Sequence, residues 1–188
     1  KMWANWDLAL DAAGRPRVAL YEPPSIDITV GGRLFYAWCD ADDCAPTTAW
    51  NMTHIASGEG KNVDLAIDAQ GRMHMAYDAG QRGVLAHLWC DGACTEASQW
   101  QRRILETSDD LLAEFPPAIP FTCNQETAFA WLDAVPMVTF DAQGKLVVAY
   151  DTKHVATCYY RDPGNPDPVI TRVERIWWAV RWAYFAQP

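Results

Sequence analysis

Short apolar stretches, separated by turns rich in Asp, Gly and Pro, fill most of this 188-residue chain. Such stretches, with no helical segments between them, mark β-strands. The run Asp7-Leu8-Ala9-Leu10-Asp11-Ala12-Ala13-Gly14-Arg15 recurs as Asp64-Leu65-Ala66-Ile67-Asp68-Ala69-Gln70-Gly71-Arg72, and a third copy runs from Val138 to Lys145. Each copy leads into an apolar stretch that closes on an aromatic residue and a carboxylate: Val18 to Glu22, Met73 to Asp78, and Leu146 to Asp151. The unit predicts strand, turn, strand, with Gly14, Gly71 and Gly144 in the left-handed turn position and the Asp accepting backbone N–H groups. One carboxylate per turn falls short of the several oxygen ligands a calcium loop requires.

A second hairpin follows in the first two copies. Leu34 to Asp40 matches Leu85 to Asp91, and a Trp stands six residues beyond the second cysteine of each, at Trp50 after Cys44 and Trp100 after Cys94. Fourth strands are expected from Trp50 to Ile55 and from Trp100 to Leu105. In the third copy Cys158 to Asp162 is expected as the third strand, Asp162-Pro163-Gly164-Asn165-Pro166 as the turn, and Val169 to Ile176 as the fourth strand. Four short antiparallel strands per unit predict an all-β fold, a β-propeller or partial propeller of four-stranded antiparallel blades. Residues 1–188 read as one propeller-like domain, with blades at about 7–55, 63–105 and 136–176. Residues 107–135 interrupt the period and read as a long surface loop.

The repeat resembles a family of bacterial extracellular propeller-like repeats, in which an Asp-x-x-Gly turn leads into a strand ending in Tyr-Asp and then into a strand of the Leu-x-Tyr-Ala type. Asp68-Ala69-Gln70-Gly71, Tyr77-Asp78 and Leu34-Phe35-Tyr36-Ala37 carry the resemblance. The third copy departs from it at Val147 and in lacking hairpin cysteines. The resemblance implies architecture and leaves activity open.

Composition narrows the function classes. A formal charge of -9 argues against a phosphate-tracking surface, so no nucleic acid is expected as a partner. No apolar run approaches the roughly 20 residues that span a bilayer, and no basic-then-apolar leader stands at Lys1, so an exported protein would already have lost its signal. Six cysteines arranged as two close pairs and one distant pair predict the disulfides Cys39–Cys44, Cys90–Cys94 and Cys123–Cys158, and a secreted or periplasmic location. A zinc site is the rival reading, but the spacings are C-x4-C and C-x3-C rather than paired C-x2-C.

Candidate chemistry is sparse. Trp38, Trp50, Trp89 and Trp100 repeat and read as core, whereas Trp131, Trp177, Trp178 and Trp182 fall outside the register and are candidate ligand or partner contacts. Glu22, Asp78 and Asp151 recur after the second strand and could form a carboxylate ring for a cation or for acid–base chemistry, although turn and cap roles are the favoured reading, since architecture alone produces such repetition. His74 and His87 could neighbour one another across strands and hold copper or zinc; no other cofactor is expected. No catalytic residue is assigned, because elbow, phosphate-loop and zinc-protease motifs are lacking. The expected function is an extracellular binding or interaction module for a glycan or a protein, the alternative an enzyme with a carboxylate or metal site at the propeller mouth. Three units are fewer than the four to eight blades of a closed ring, so a second polypeptide or self-association is expected, with the apolar segment Ile176 to Phe185 in the contact.

Overall fold

A computed structural model describes residues 5–24, 32–79, 84–114, 125–131, 135–161 and 170–185. Among these residues twelve strands form three four-stranded antiparallel sheets, and one α-helix lies between the second and third. The first is a meander of β1 (Asn5–Leu10), β2 (Pro16–Glu22), β3 (Arg33–Cys39) and β4 (Trp50–Ser57). The second repeats it with β5 (Lys61–Ile67), β6 (Met73–Asp78), β7 (Leu85–Cys90) and β8 (Gln101–Glu106).

The turns match their predicted chemistry three times over. In each, the Gly N–H donates to the Asp carbonyl, at 2.8 to 2.9 Å. Oδ1 of Asp11, Asp68 and Asp141 accepts the N–H groups two and four residues on. Gly14, Gly71 and Gly144 have φ of 75°, 81° and 76°, where a Cβ is penalised. The hairpin tips repeat as closely. Disulfides Cys39–Cys44 and Cys90–Cys94 close them, and the indoles of Trp50 and Trp100 donate to the carbonyls of Cys44 and Cys94. That bond accounts for the constant six-residue spacing from cysteine to tryptophan. Cys123 lies outside the described residues, and with it the expected bridge to Cys158.

The sheets stack face on face, and the core lies between them. Period-two alternation gives every sheet two faces; the one turned toward the following sheet is here called trailing, and the opposite one leading. Ala19, Leu34 and Tyr36 on the trailing face of the first sheet pack with Val63, Leu65, Met75, Tyr77 and Leu88 on the leading face of the second. Ala76 and Leu85 on the second sheet's trailing face pack with Val138, Leu146, Val148 and Tyr150 of the third.

Two polar devices repeat at these junctions. The carboxylate of Asp7 accepts the N–H of Leu65 at 2.8 Å, and that of Asp64, at the equivalent position, accepts the N–H of Val138 at 2.6 Å. The first strand of the second sheet and that of the third are each stapled in this way to the sheet before, satisfying N–H groups on a strand edge. In the second device, Arg102 donates to the hydroxyl of Tyr77 and to Glu59, which precedes the second sheet. Arg181 likewise donates to the hydroxyl of Tyr150 and to Glu106, which ends the second sheet, while the Tyr150 hydroxyl also donates to Glu106.

The third sheet departs from expectation. β10 (Met137–Phe140) pairs with the start of β11 (Leu146–Arg161), a continuous strand of 16 residues that spans both segments expected as separate second and third strands. The other side of β11 pairs along its whole length with β12 (Ile170–Phe185), so Val180 to Tyr184 occupies the third-strand position beside Val147 to Asp151. The apolar C-terminal segment thus packs first on its own hairpin. Nor is 107–135 simply a loop: it contains α1 (Ser108–Glu114) and β9 (Gln125–Trp131), which pairs with β11 beyond β10. Thr107 and Asp110 cap the helix reciprocally, and Leu111 fills the second core. The segment Lys153 to Cys158 contains no Gly or Pro, so β11 runs on where the first two copies break.

Candidate functional site

The turn of the first sheet and the hairpin tip of the second flank a cleft of about 440 Å³ between those two sheets. Its floor is set by the trailing face of the first sheet. Arg17 on β2 is directly paired with Trp38 on β3, and Ala19 with Tyr36, so the guanidinium and two aromatic rings share one face. The Tyr36 and Trp38 rings stack, with centroids 5.5 Å apart and planes inclined by 16°, and Trp100 meets Tyr36 edge-on. Gly71, Gly92 and Ala93 line the opposite wall and leave it open to an occupant.

A charged network fixes the cleft's rim. Buried Arg17 reaches Asp11 Oδ2 and Asp40 Oδ1, both at 2.7 Å, and donates to the Cys39 carbonyl at 3.2 Å. Arg15 adds a 3.0 Å bond to Asp11 and lies 3.4 Å from Asp40. Burial works against charge on Asp11, but the N–H groups of Arg15 and Ala13 and the two guanidiniums outweigh it and hold the carboxyl below its usual range. Burial likewise opposes charge on Arg17, and its bond to Asp40 prevails, raising its pKa. Burial pushes the Tyr36 hydroxyl up to about 12. The cleft therefore presents paired carboxylates and guanidiniums beside an aromatic surface.

The second sheet carries the same constellation with other residues. His74 takes the place of Arg17, His87 that of Tyr36, Trp89 that of Trp38, and Asp68 that of Asp11. Both histidines are buried and stack, with Nδ1 of His74 3.0 Å from Nε2 of His87. Arg103 Nε donates to His87 Nδ1 at 3.2 Å, which fixes the tautomers, since that nitrogen must be the acceptor. His87 Nε2–H then donates to His74 Nδ1, and His74 Nε2–H points to Asp68 Oδ2 at 3.4 Å. Burial drives His87 down to about 3, with His74 and Arg103 adding to it, and burial also lowers His74 against the pull of Asp68. The two imidazoles form a neutral hydrogen-bonded chain from Arg103 to Asp68. Holding copper or zinc between them would require the rings to part, and no cluster of three metal-binding side chains occurs among the described residues.

The remaining sequence candidates are dispersed. Glu22 pairs with Arg33 at the end of the first sheet. Asp78 is buried, with the Gly60 N–H directed at its carbonyl at 3.4 Å, and Asp151 lies opposite Val180. In the sheet register Asp78 corresponds to Tyr21 rather than Glu22, because both stand opposite the matching leucines Leu34 and Leu85; the three carboxylates therefore do not occupy one repeated position. Trp182 is exposed on β12. Trp131, Trp177 and Trp178 lie in β9 and β12, and their side chains are outside the described set. Trp89 and Trp100 are buried, Trp38 and Trp50 are half-buried, and Trp38 lines the cleft. Asp11, Arg17, Tyr36 and Asp40 were not singled out in the sequence. No helix among the described residues is long and apolar enough to cross a membrane. No protein-family model matches the chain, and no curated protein matches it either.

Proposed function

We propose that this chain is an extracellular binding module, three blades of a radial, propeller-type stack, which takes a glycan in the cleft between its first two blades. The observation that carries the reading is the stacked Tyr36–Trp38 pair set beside the Arg17-centred ion network on one cleft wall. An indole face suits the apolar face of a sugar ring, and fixed carboxylates and guanidiniums suit its hydroxyls. Two disulfides support an oxidising, extracytoplasmic setting. Face-on-face sheets with repeated staples support the radial stack. The glycosidase alternative needs one carboxyl poised as an acid beside another that stays ionised, and Asp11 is committed to two arginines.

The test is a glycan array on native protein, followed by calorimetric titration of any hit. Trp38→Ala is expected to weaken binding at least about tenfold while the fold is kept, since stacking of this kind contributes on the order of 1 kcal/mol or more. A hit that Trp38→Ala and Asp40→Ala both bind unchanged, or no hit at all, refutes the proposal; turnover of the glycan would favour the enzyme reading.

A further inference from the structure

Arg17 and Tyr36 of the first sheet border an open cleft, whereas their counterparts His74 and His87 in the second are wholly buried. Trp89 stacks on His87, and Phe140 of the third sheet meets His74 edge-on, with centroids 5.1 Å apart. The pair thus lies where the second sheet meets the third. Three links form the chain: Arg103 Nε to His87 Nδ1 at 3.2 Å, His87 to His74 at 3.0 Å, and His74 to Asp68 at 3.4 Å. Two of them need a bare ring nitrogen, because Arg103 can only donate and one of the two facing imidazole nitrogens must accept. Two neutral rings have two such nitrogens, and one added proton leaves one. Wherever that proton settles, one link becomes two N–H groups opposed to each other in a site closed to solvent.

We propose that the His74–His87 pair is an acid-operated latch, which holds the second sheet to the third while neutral and takes up protons only by letting the two sheets part. The inference is independent of what the cleft binds, since the latch lies at the other junction. At one end the Arg103 guanidinium, 5.7 Å over Trp89, repels a proton on His87. At the other, Asp68 attracts charge to His74 but is already bonded to Arg72 at 2.6 Å, and Arg72 reaches toward Asp91. The strand that supplies Phe140 has no titratable side chain. Elsewhere in the same junction Arg181 joins Glu106 to Glu114, and Asp64 holds the Val138 N–H. Burial lowers both histidines, with His74 and Arg103 adding to it at His87. A ring lowered in this way contributes stability that is present above its unfolded value of about 6.5 and is lost as the pH falls below it. Asp64, raised by burial, has the opposite sign. One carboxyl is set against two imidazoles, so acid opens the junction.

Hydrogen exchange reads the two junctions separately, because the Leu65 N–H crosses the first and the Val138 N–H the second. The matched variant is His74→Arg with His87→Tyr, which transfers the first sheet's pair into the second. Asp64 titrates in both proteins and drops out of the comparison. Between about pH 7 and pH 5, with intrinsic exchange corrected for, opening at Val138 should rise more in the wild type than in the variant. The excess should be roughly twenty-fold for one imidazole protonated on opening and several hundred-fold for two. Leu65 should show no such rise. Nitrogen NMR of the wild-type protein provides a check without substitution: both rings should stay neutral for as long as Val138 is protected. A ring that takes its proton near pH 6.5 inside the closed structure, a response at Leu65 equal to that at Val138, or a Val138 response unchanged in the variant would each overturn the proposal. Should the double exchange prevent folding, the ring titration and the contrast between Val138 and Leu65 decide it.

Discussion

Asp64 offers the sharpest test of how the sheets are held together. Its carboxylate is half-buried between the second and third sheets, 2.6 Å from the Val138 N–H. Burial, with the nearby charge of Asp7, pushes its pKa up to about 6 against the opposing effect of that N–H. In the unfolded chain it should titrate near about 3.9. The folded state thus binds the proton more tightly, so the group's contribution to stability is fully present below about pH 4 and is lost as the pH rises through about 6. At about 1.4 kcal/mol per pH unit, a gap of roughly two units amounts to about 3 kcal/mol. Asp64→Asn keeps an oxygen for the Val138 N–H and has no charge to bury. Urea unfolding followed by tryptophan fluorescence should therefore show the variant gaining on the wild type by about 2 to 3 kcal/mol between pH 4 and pH 7. Asp64→Ala instead orphans the Val138 N–H, at a cost of about 1 to 3 kcal/mol at pH 4. A stability difference between wild type and Asp64→Asn that stays constant with pH would refute the burial of the charge, and an Asp64→Ala variant as stable as Asp64→Asn would refute the stapling role.

Two further substitutions probe the repeat. Gly71→Ala and Gly60→Ala both place a Cβ at positive φ, but only at Gly60 would that atom meet another, Leu34 Cβ at 2.7 Å; chemical denaturation should show about 1 kcal/mol lost at Gly71 and at least about 2 kcal/mol at Gly60. Tyr150→Phe removes the hydroxyl shared by buried Glu106 and by Arg181, whereas Tyr77→Phe removes one that accepts from half-exposed Arg102. The melting temperature should fall further for Tyr150→Phe, by an amount equivalent to about 1.5 to 3 kcal/mol against about 1 kcal/mol; equal losses would contradict the stronger coupling assigned to the second junction.

Local features were legible because neighbours in sequence dictate them. The Asp-x-x-Gly turns need one carboxylate, two nearby N–H groups and a residue tolerant of positive φ, all within five positions. The two short disulfides and their indole caps are equally local. The inter-sheet staples were not legible, because Asp7 and Leu65, or Asp64 and Val138, become neighbours only once whole sheets have stacked. Which face of each strand meets which sheet is likewise decided only by that stacking. The third unit misled for a related reason: β11 and β12 pair without a break, and a run free of Gly and Pro does not by itself distinguish one long hairpin from several short strands.

The candidate site was hidden by the repetition that revealed the fold. Aligning the copies draws the eye to what stays the same, such as Asp11 with Asp68 and Asp141, and those residues build turns. The position three residues beyond the turn glycine behaves differently, since it holds Arg17, His74 and Val147 in an otherwise constant frame. Its cross-strand neighbour varies less: Trp38 and Trp89 stand beside the first two, and Tyr184 beside the third. Backbone geometry cannot require a guanidinium, an imidazole and an isopropyl group at the same place, so the framework leaves this position free to be chosen for something else. In the first sheet the choice organises an ion network at an open cleft, in the second it builds a sealed chain of neutral imidazoles, and in the third it leaves an apolar face. Exchange at this single position is the most direct way to ask whether the frame or its inserts confer binding. Arg17→His should keep the turn and the disulfide tip while releasing Asp11 and Asp40 from their shared guanidinium, and a glycan titration unaffected by that exchange would show that the network is scaffold rather than site.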